Sequence, residues 1–181
     1  MKDVRAIALF VFLVGGIPFM TDSGVVLNFV MMALYACLLA QAWNVLGGFG
    51  GQFSFGHALF FGTGAYVQAM AQVHAGWNPW FTLVLAMAIS AAVGGFVGSL
   101  SFRYGLKGSY FALVTLAFAE VFRIVSLSVP FTGAGVGLML PLNESWTNMQ
   151  FGSRAGFVWL ILGLVSIALK ELCDFQLVRI A

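Results

Sequence analysis

Ser54 and His57 are the two residues of this sequence whose types and spacing come nearest to catalytic chemistry. A serine three residues before a histidine could supply a nucleophile and its base. No acidic residue follows to orient the histidine, no G-x-S-x-G segment occurs, and a shared helix restricts the geometry that a triad requires. We therefore assign no catalytic residue. A packing or pathway role is favoured, and a hydrolase that uses Ser54 is the alternative.

The sequence also lacks the signatures of nucleotide, metal and nucleic-acid sites. Neither G-x-x-x-x-G-K-[ST] nor H-E-x-x-H occurs. Cys37 and Cys173 are too far apart for a metal-ligand spacing or a disulfide framework. The net charge of +2 is scattered and forms no basic patch for nucleic acid. We expect no metal and no cofactor, so any energy input must come from a gradient or a partner.

The composition is that of a membrane protein. Hydrophobic residues make up 61% of the chain and charged residues 8%, with a mean hydropathy of +1.00. Soluble domains carry about 25% charged residues. No Asp, Glu, Lys or Arg occurs between Ser23 and Phe102, a run of 80 residues. At about 20 residues for each spanning helix, this run has room for three crossings. The chain is therefore expected to lie in a lipid bilayer.

Six apolar stretches predict an all-α, polytopic transmembrane helical bundle of about six spans, with residues 1–181 forming a single domain. The stretches are 6–20, 25–45, 54–73, 80–102, 108–128 and 156–169. The first has no small-x-small cleavage site, so an uncleaved span is favoured over a signal peptide. A polar, turn-rich segment, 129–155, precedes the last stretch.

The basic residues predict the orientation of this bundle. Six crossings place three basic clusters on one side of the membrane, namely Lys2 with Arg5, Arg103 with Lys107, and Lys170 with Arg179. Asp22 and Glu144 then lie on the other side. Because cytoplasmic loops carry an excess of Lys and Arg, both termini are expected to be cytoplasmic.

A glycine-rich stretch interrupts the apolar pattern. Seven glycines occur from Gly47 to Gly64 within the uncharged run. Irregular backbone at membrane depth is tolerated only where protein covers it or where it lines a wet cavity. The stretch is therefore either a tight cytoplasmic turn that leads into a closely packed helix, or a broken or re-entrant helix between Gly47 and Phe60 at a transport site.

The polar residues of this stretch are candidates for a substrate pathway. We expect Ser54 to be the N-cap of the third helix. The first free N–H groups, at residues 55–57, would then point into the break and attract an anionic group such as a carboxylate. The pathway candidates are Asn44, Gln52, Ser54, Gly56, His57 and Thr63.

Small residues at intervals of four predict close helix packing. Ser54, Ala58 and Gly62 form one such series, and Ser90, Gly94 and Gly98 form another in the fourth stretch. The small-xxx-small pattern lets the backbones of membrane helices approach each other. We expect both series to lie at helix contacts.

Glu120 and Arg123 are the charged residues of the fifth stretch, and their spacing places them on one helix face. Charges at this depth are costly unless they are paired or hydrated. They either line a polar pathway or, as we favour, form a self-neutralising ion pair near the outer interface, with Arg123 snorkelling to water.

Three segments resemble those of a known family. AWNVLGGFGGQFSFGHALFFGTGAYVQA (42–69), GLKGSYFALVTLAFAEVFRIV (105–125) and FTGAGVGLMLP (131–141) are similar, in this order, to segments of the branched-chain amino acid permeases of bacterial ABC importers. The likeness is strongest to LivM-like subunits and covers about residues 26–142.

The resemblance implies a permease subunit of the bacterial cytoplasmic membrane. Its partners would be a second, LivH-like permease subunit, two cytoplasmic ATPase subunits that hydrolyse ATP, and an external solute-binding protein that docks on the outer loop 129–155. The substrates would be leucine, isoleucine or valine; related systems carry urea, short amides or other amino acids. Family members continue with further helices after the sixth span. We therefore expect this chain to be truncated at its C-terminus, and a transport-incompetent fragment is the alternative.

Overall fold

The computed structural model describes the backbone of residues 2–180 and the side chains of residues 5–174. It contains six α-helices, and none of the described residues forms a strand. The helices are α1 (Lys2–Met20), α2 (Gly24–Asn44), α3 (His57–Ala75), α4 (Pro79–Arg103), α5 (Ser109–Ser128) and α6 (Arg154–Ile180). The predicted all-helical membrane bundle is confirmed.

The number of candidate spans is four within the described residues, fewer than the six predicted. The four stretches that are long and apolar enough to cross a bilayer are Gly24–Phe49, Pro79–Arg103, Ser109–Ser128 and Arg154–Asp174. In α1 the apolar stretch, Arg5–Met20, is shorter than a span. Helix α3 is long enough, but two glutamines and two histidines lower its hydropathy.

The predicted helix ends are close to the observed ones except at the C-terminus. Asn78 caps α4 by accepting a hydrogen bond from the Trp80 N–H at 2.9 Å, and Pro79 occupies the first turn, where a missing N–H costs nothing. Helix α6 continues beyond the predicted end at residue 169, because no glycine or proline follows to stop it. The side chains of Lys2 and Arg179, used to predict the orientation, lie outside the described residues.

The chain divides into two compact units. The first contains α1, α2 and α6, and its core is formed by Leu27, Leu34, Val158, Leu162 and Val165. Side chains of α1 pack against the same core. Since lipid is as apolar as these side chains, the three helices are held by close packing and not by exclusion of water.

The second unit, Leu46–Gln150, contains α3, α4 and α5. Helix α3 lies against α4, where the Ser90 hydroxyl donates a hydrogen bond to the Phe60 carbonyl oxygen at 3.0 Å. At Gly64 the backbone comes so near to α4 that an added Cβ would lie 2.9 Å from Ser90 Oγ. A hydroxyl on one helix and a glycine on the other thus permit the close approach.

The small residues that the sequence singled out for packing lie in different surroundings. Ser90 and Gly94 face α3, and a Cβ on Gly94 would lie 3.7 Å from the Phe60 ring. Ala58 is exposed, and nothing lies within 4 Å of a Cβ on Gly62. A Cβ on Gly98 would meet only the Phe102 ring of its own helix. In α3 the closest approach therefore falls at Phe60 and Gly64, two residues after Ala58 and Gly62.

Replacing Gly64 with leucine is expected to destabilise the second unit, whereas Gly62→Leu is expected to be tolerated. A side chain at position 64 must displace Ser90, while position 62 is open. Overpacking of this kind costs about 1–3 kcal/mol. The measurement is the thermal unfolding midpoint of each purified variant in detergent. Equal midpoints for the two variants would contradict the observed α3–α4 contact.

Candidate functional site

An irregular segment separates α2 from α3. The last turns of α2 widen into a π-helix, Val45–Phe49, and residues 50–56 then form no regular structure. Helix α3 begins at His57 with Gly56 as its N-cap residue, and the Leu59 N–H donates to the Gly56 carbonyl oxygen at 2.9 Å. The prediction that Ser54 caps the helix is therefore wrong, and the first N–H groups of α3 belong to residues from His57 onward.

The interrupted segment runs along α5 and does not stay at its end. Gln52 is bonded to Gly108, the residue before α5, whereas Gly56 lies against Thr115. Thr115 is six residues after Ser109, which corresponds to about 9 Å along the helix axis. A Cβ on Gly56 would overlap the Thr115 carbonyl oxygen. This course favours the broken or re-entrant helix over a surface turn.

Gln52 anchors the start of the interrupted segment. Its Oε1 accepts a hydrogen bond from the Gly108 N–H at 3.0 Å, and its own N–H donates to the Leu46 carbonyl oxygen at 3.1 Å. Gly108 has φ +57° and ψ −125°, a conformation that favours glycine. The Gln52 side chain thus satisfies a backbone group at the N-terminal end of α5, where α5 itself offers no acceptor.

Two polar side chains follow within the segment and at the start of α3. Ser54 is 3% exposed, and His57 is half-buried. The His57 Nδ1 atom is buried and has no hydrogen-bond partner among the described residues, while its ring meets Phe60 edge-on at 5.9 Å. A buried nitrogen without a partner costs free energy. His57 therefore retains the capacity to donate or accept one hydrogen bond, according to its tautomer.

The structure places the remaining pathway candidates elsewhere. Asn44 is exposed at the last position of α2, in the first unit. The Thr63 hydroxyl donates to the Leu59 carbonyl oxygen of its own helix at 2.8 Å. Gln52, Ser54, Gly56 and His57 are thus brought together by the interrupted segment, whereas Asn44 and Thr63 are not part of it.

Sequence reasoning missed two residues that hold this segment in place. Thr115 is buried in α5 and donates its hydroxyl hydrogen to the Ala112 carbonyl oxygen at 2.9 Å, and Gly108 donates its N–H to Gln52. Both lie in GLKGSYFALVTLAFAEVFRIV, and their partners lie in the glycine-rich segment 42–69. The only hint in the sequence was that both segments belong to the two longer motifs of the family resemblance. Neither segment by itself indicates that the two are in contact.

Glu120 and Arg123 form an ion pair on α5. Arg123 donates from Nε to Glu120 Oε2 at 2.9 Å and from one Nη to Oε1 at 2.6 Å. The Arg123 and Glu120 side chains are 60% and 53% exposed. No group of His, Cys, Asp or Glu side chains able to hold a metal ion occurs within the described part of the chain.

The four long apolar helices and their bundle define an integral membrane domain. The model of the family described as branched-chain amino acid transport system / permease component matches residues 25–171, and this chain belongs to that family. The description is that of a transport component, which favours a transport subunit over an enzyme.

Two curated relatives carry the same printed name, high-affinity branched-chain amino acid transport system permease protein LivM. The protein from Salmonella typhimurium (strain LT2) is 36% identical over 111 residues, which cover 61% of this chain and 25% of the relative. The protein from Escherichia coli (strain K12) is 33% identical over 139 residues, which cover 76% of this chain and 32% of the relative. The chain spans about a quarter to a third of the length of these relatives. No solved structure matches it.

Gly56→Ala is expected to displace the interrupted segment from α5, because its Cβ would overlap backbone that cannot move aside. The displacement is detected with Ser54→Cys, introduced after Cys37 and Cys173 are replaced by serine. The thiol at position 54 should resist a maleimide reagent in the parent and react several times faster in the Gly56→Ala background. Gly62→Ala, at an open position, is the control. Equal reaction rates in all three backgrounds would refute the contact.

Gln52→Met is expected to loosen the loop that precedes α5, whereas Gln52→Glu keeps an acceptor for the Gly108 N–H. One lost hydrogen bond of about 1 kcal/mol corresponds to about fivefold more frequent local opening. Trypsin cleavage after Arg103 and Lys107, followed by mass spectrometry, measures this opening. Cleavage that is as slow in the methionine variant as in the glutamate variant would show that the bond does not anchor the loop.

Proposed function

We propose that this chain is a permease subunit of an ABC importer that moves branched-chain amino acids across the bacterial cytoplasmic membrane. Membership of the permease family and the printed names of the two LivM relatives support the substrate class. The observation that carries the proposal is the interruption between α2 and α3, which runs about 9 Å along α5 and presents the unpartnered His57 Nδ1.

The passage is proposed to run beside this interruption. An amino acid that leaves water needs hydrogen-bond partners for its ammonium and carboxylate groups and apolar surroundings for its side chain. The segment 50–56 has irregular backbone that is not part of a helix, and the buried Nδ1 atom of His57 beside it has no hydrogen-bond partner among the described residues. Alternating access would expose these groups to each side of the membrane in turn.

The remaining components are proposed from the same family membership. A second, LivH-like permease subunit would complete the passage, two cytoplasmic ATPase subunits would hydrolyse ATP, and an external solute-binding protein would dock on the loop between α5 and α6. The absence of a G-x-x-x-x-G-K-[ST] motif from the sequence supports an energy supply from separate subunits.

Both termini are proposed to be cytoplasmic. Arg103, Lys107 and Lys170 would then lie inside and Asp22 and Glu144 outside, as the excess of basic residues in cytoplasmic loops requires. This orientation needs both α1 and α3 to cross the membrane together with the four candidate spans. For α3, its packing along α4 supports such a crossing, because the two helices lie side by side.

The test combines assembly and uptake in the native host. A tagged chain is purified from solubilised membranes, its partners are identified by mass spectrometry, and uptake of radiolabelled leucine is measured in the same strain. We expect an ATPase and a second permease subunit to co-purify. His57→Leu is expected to lower uptake at least tenfold with assembly intact, and His57→Gln, which retains hydrogen-bonding groups, to lower it less.

Three results would decide against the proposal or part of it. If no ATPase co-purifies, the importer assignment fails and a fragment without transport activity is favoured. If His57→Leu leaves uptake unchanged, the passage does not run beside the interruption. If uptake of urea or a short amide exceeds that of leucine, the substrate class is wrong.

A further inference from the structure

The C-terminal half of α5 carries an exposed ion pair on a helix that is apolar enough to span a membrane. Every residue from Glu120 to Val125 is exposed, and the other residues of this stretch are apolar. An ion pair facing hydrocarbon is costly even when its net charge is zero, because lipid offers no hydrogen-bond partners. The surroundings of this pair in the membrane therefore need an explanation.

Snorkelling does not explain it, because Arg123 points away from the nearer end of the helix. Arg123 is five residues before Ser128, about 7.5 Å along the axis. A snorkelling arginine would extend toward that end, where water and headgroups lie. Its guanidinium group instead binds Glu120, one turn toward the helix interior, through two hydrogen bonds of 2.9 and 2.6 Å.

The pair leaves hydrogen-bonding capacity unused. A guanidinium group has five N–H donors, and two of those on Arg123 bind Glu120. The other three have no partner among the described residues. An acceptor brought by another molecule would satisfy them, and lipid tails provide none.

Exposed residues with the spacing of a helix–helix contact lie on the same side of α5 as the pair, in a C-terminal half that is exposed on its other sides too. Leu113, Leu116, Glu120, Arg123 and Leu127 are all exposed and recur at intervals of three, four, three and four. This spacing is that of the contact stripe between two helices packed side by side. Of the buried residues of α5, Phe111 and Thr115 lie on another side of the helix, whereas Ala112, four residues before Leu116, lies at the edge of this stripe near its N-terminal end.

We propose that a transmembrane helix of the second permease subunit packs on this stripe and presents a carboxylate or amide oxygen to Arg123. The inference rests on the proposed function, which supplies that subunit. The depth of the pair requires a partner within the membrane, which excludes the solute-binding protein. The ATPase subunits are excluded because this half of α5 is directed away from Arg103 and Lys107, the proposed cytoplasmic side.

Photo-crosslinking in the intact complex tests the location of the partner. Benzoylphenylalanine is placed at Leu116 or Leu127 on the stripe, or at Val121, which is equally apolar and exposed but lies off it. After irradiation of native membranes, adducts with the second permease subunit are expected from positions 116 and 127 and not from position 121. Adducts with lipid alone, or with a second copy of this chain, would overturn the proposal.

A charge variant tests the proposed hydrogen bond. Glu120→Leu combined with Arg123→Leu makes the stripe wholly apolar, which suits lipid but leaves the partner's oxygen without a donor. We expect this double variant to recover at least fivefold less second permease subunit, whereas Val121→Leu recovers the wild-type amount. Undiminished recovery would overturn the inference. Failure of the wild-type chain to recover that subunit or an ATPase would instead overturn the proposed function, so the two failures are distinguishable.

Discussion

Lipid offers no hydrogen-bond partner to a peptide group, and the second unit depends on how its chain meets this constraint. The helices satisfy their own groups, but residues 50–56 cannot. Protein covers this segment instead: Gln52 is bonded to Gly108 and Leu46, and Gly56 is packed on Thr115. An interruption of this kind is costly to maintain, and at its end the buried His57 Nδ1 atom has no hydrogen-bond partner among the described residues.

The same constraint explains why the segment 50–56 and the start of α5 must fit against each other. Gly56 has an ordinary φ of −94°, so its lack of a side chain serves the approach to α5 and not an unusual backbone conformation. Gly108 has φ +57°, so there the backbone conformation itself favours glycine. A substitution at Gly56 would disturb its contact with Thr115, and one at Gly108 would disturb the hydrogen bond to Gln52, so either would loosen the same segment from α5. Such coupling is a property of the folded unit.

The helical architecture could be predicted from the sequence, because the backbone of a long apolar run in lipid satisfies its own hydrogen bonds when it forms a helix. The predicted start of α3 and its predicted packing residues were wrong, because contacts with α4 and α5 determine both. Ser54 has the side chain of a good N-cap, yet α3 begins three residues later, after Gly56 has passed Thr115. The series Ser54, Ala58 and Gly62 has the spacing of a helix contact, but small residues also occur on the other sides of α3, and the contact falls at Phe60 and Gly64. Gln52 was found as a polar candidate, whereas its partner 56 residues away was not.

The chemical character of the proposed passage follows from the uncharged run that contains it. From Ser23 to Phe102 there is no Asp, Glu, Lys or Arg side chain. A solute that must be released on the far side needs hydrogen-bond partners that replace its water but do not hold the solute tightly. Amide, imidazole and backbone groups meet this condition, whereas a fixed charge in the same low-dielectric surroundings would hold the opposite charge of a zwitterion firmly.

The ion pair on α5 is excluded from this role, because Glu120 and Arg123 already neutralise each other. The two proposals thus assign different roles to polar groups in one membrane domain: neutral groups beside the interruption would bind a moving solute briefly, and the ion pair on α5 would bind a neighbouring subunit.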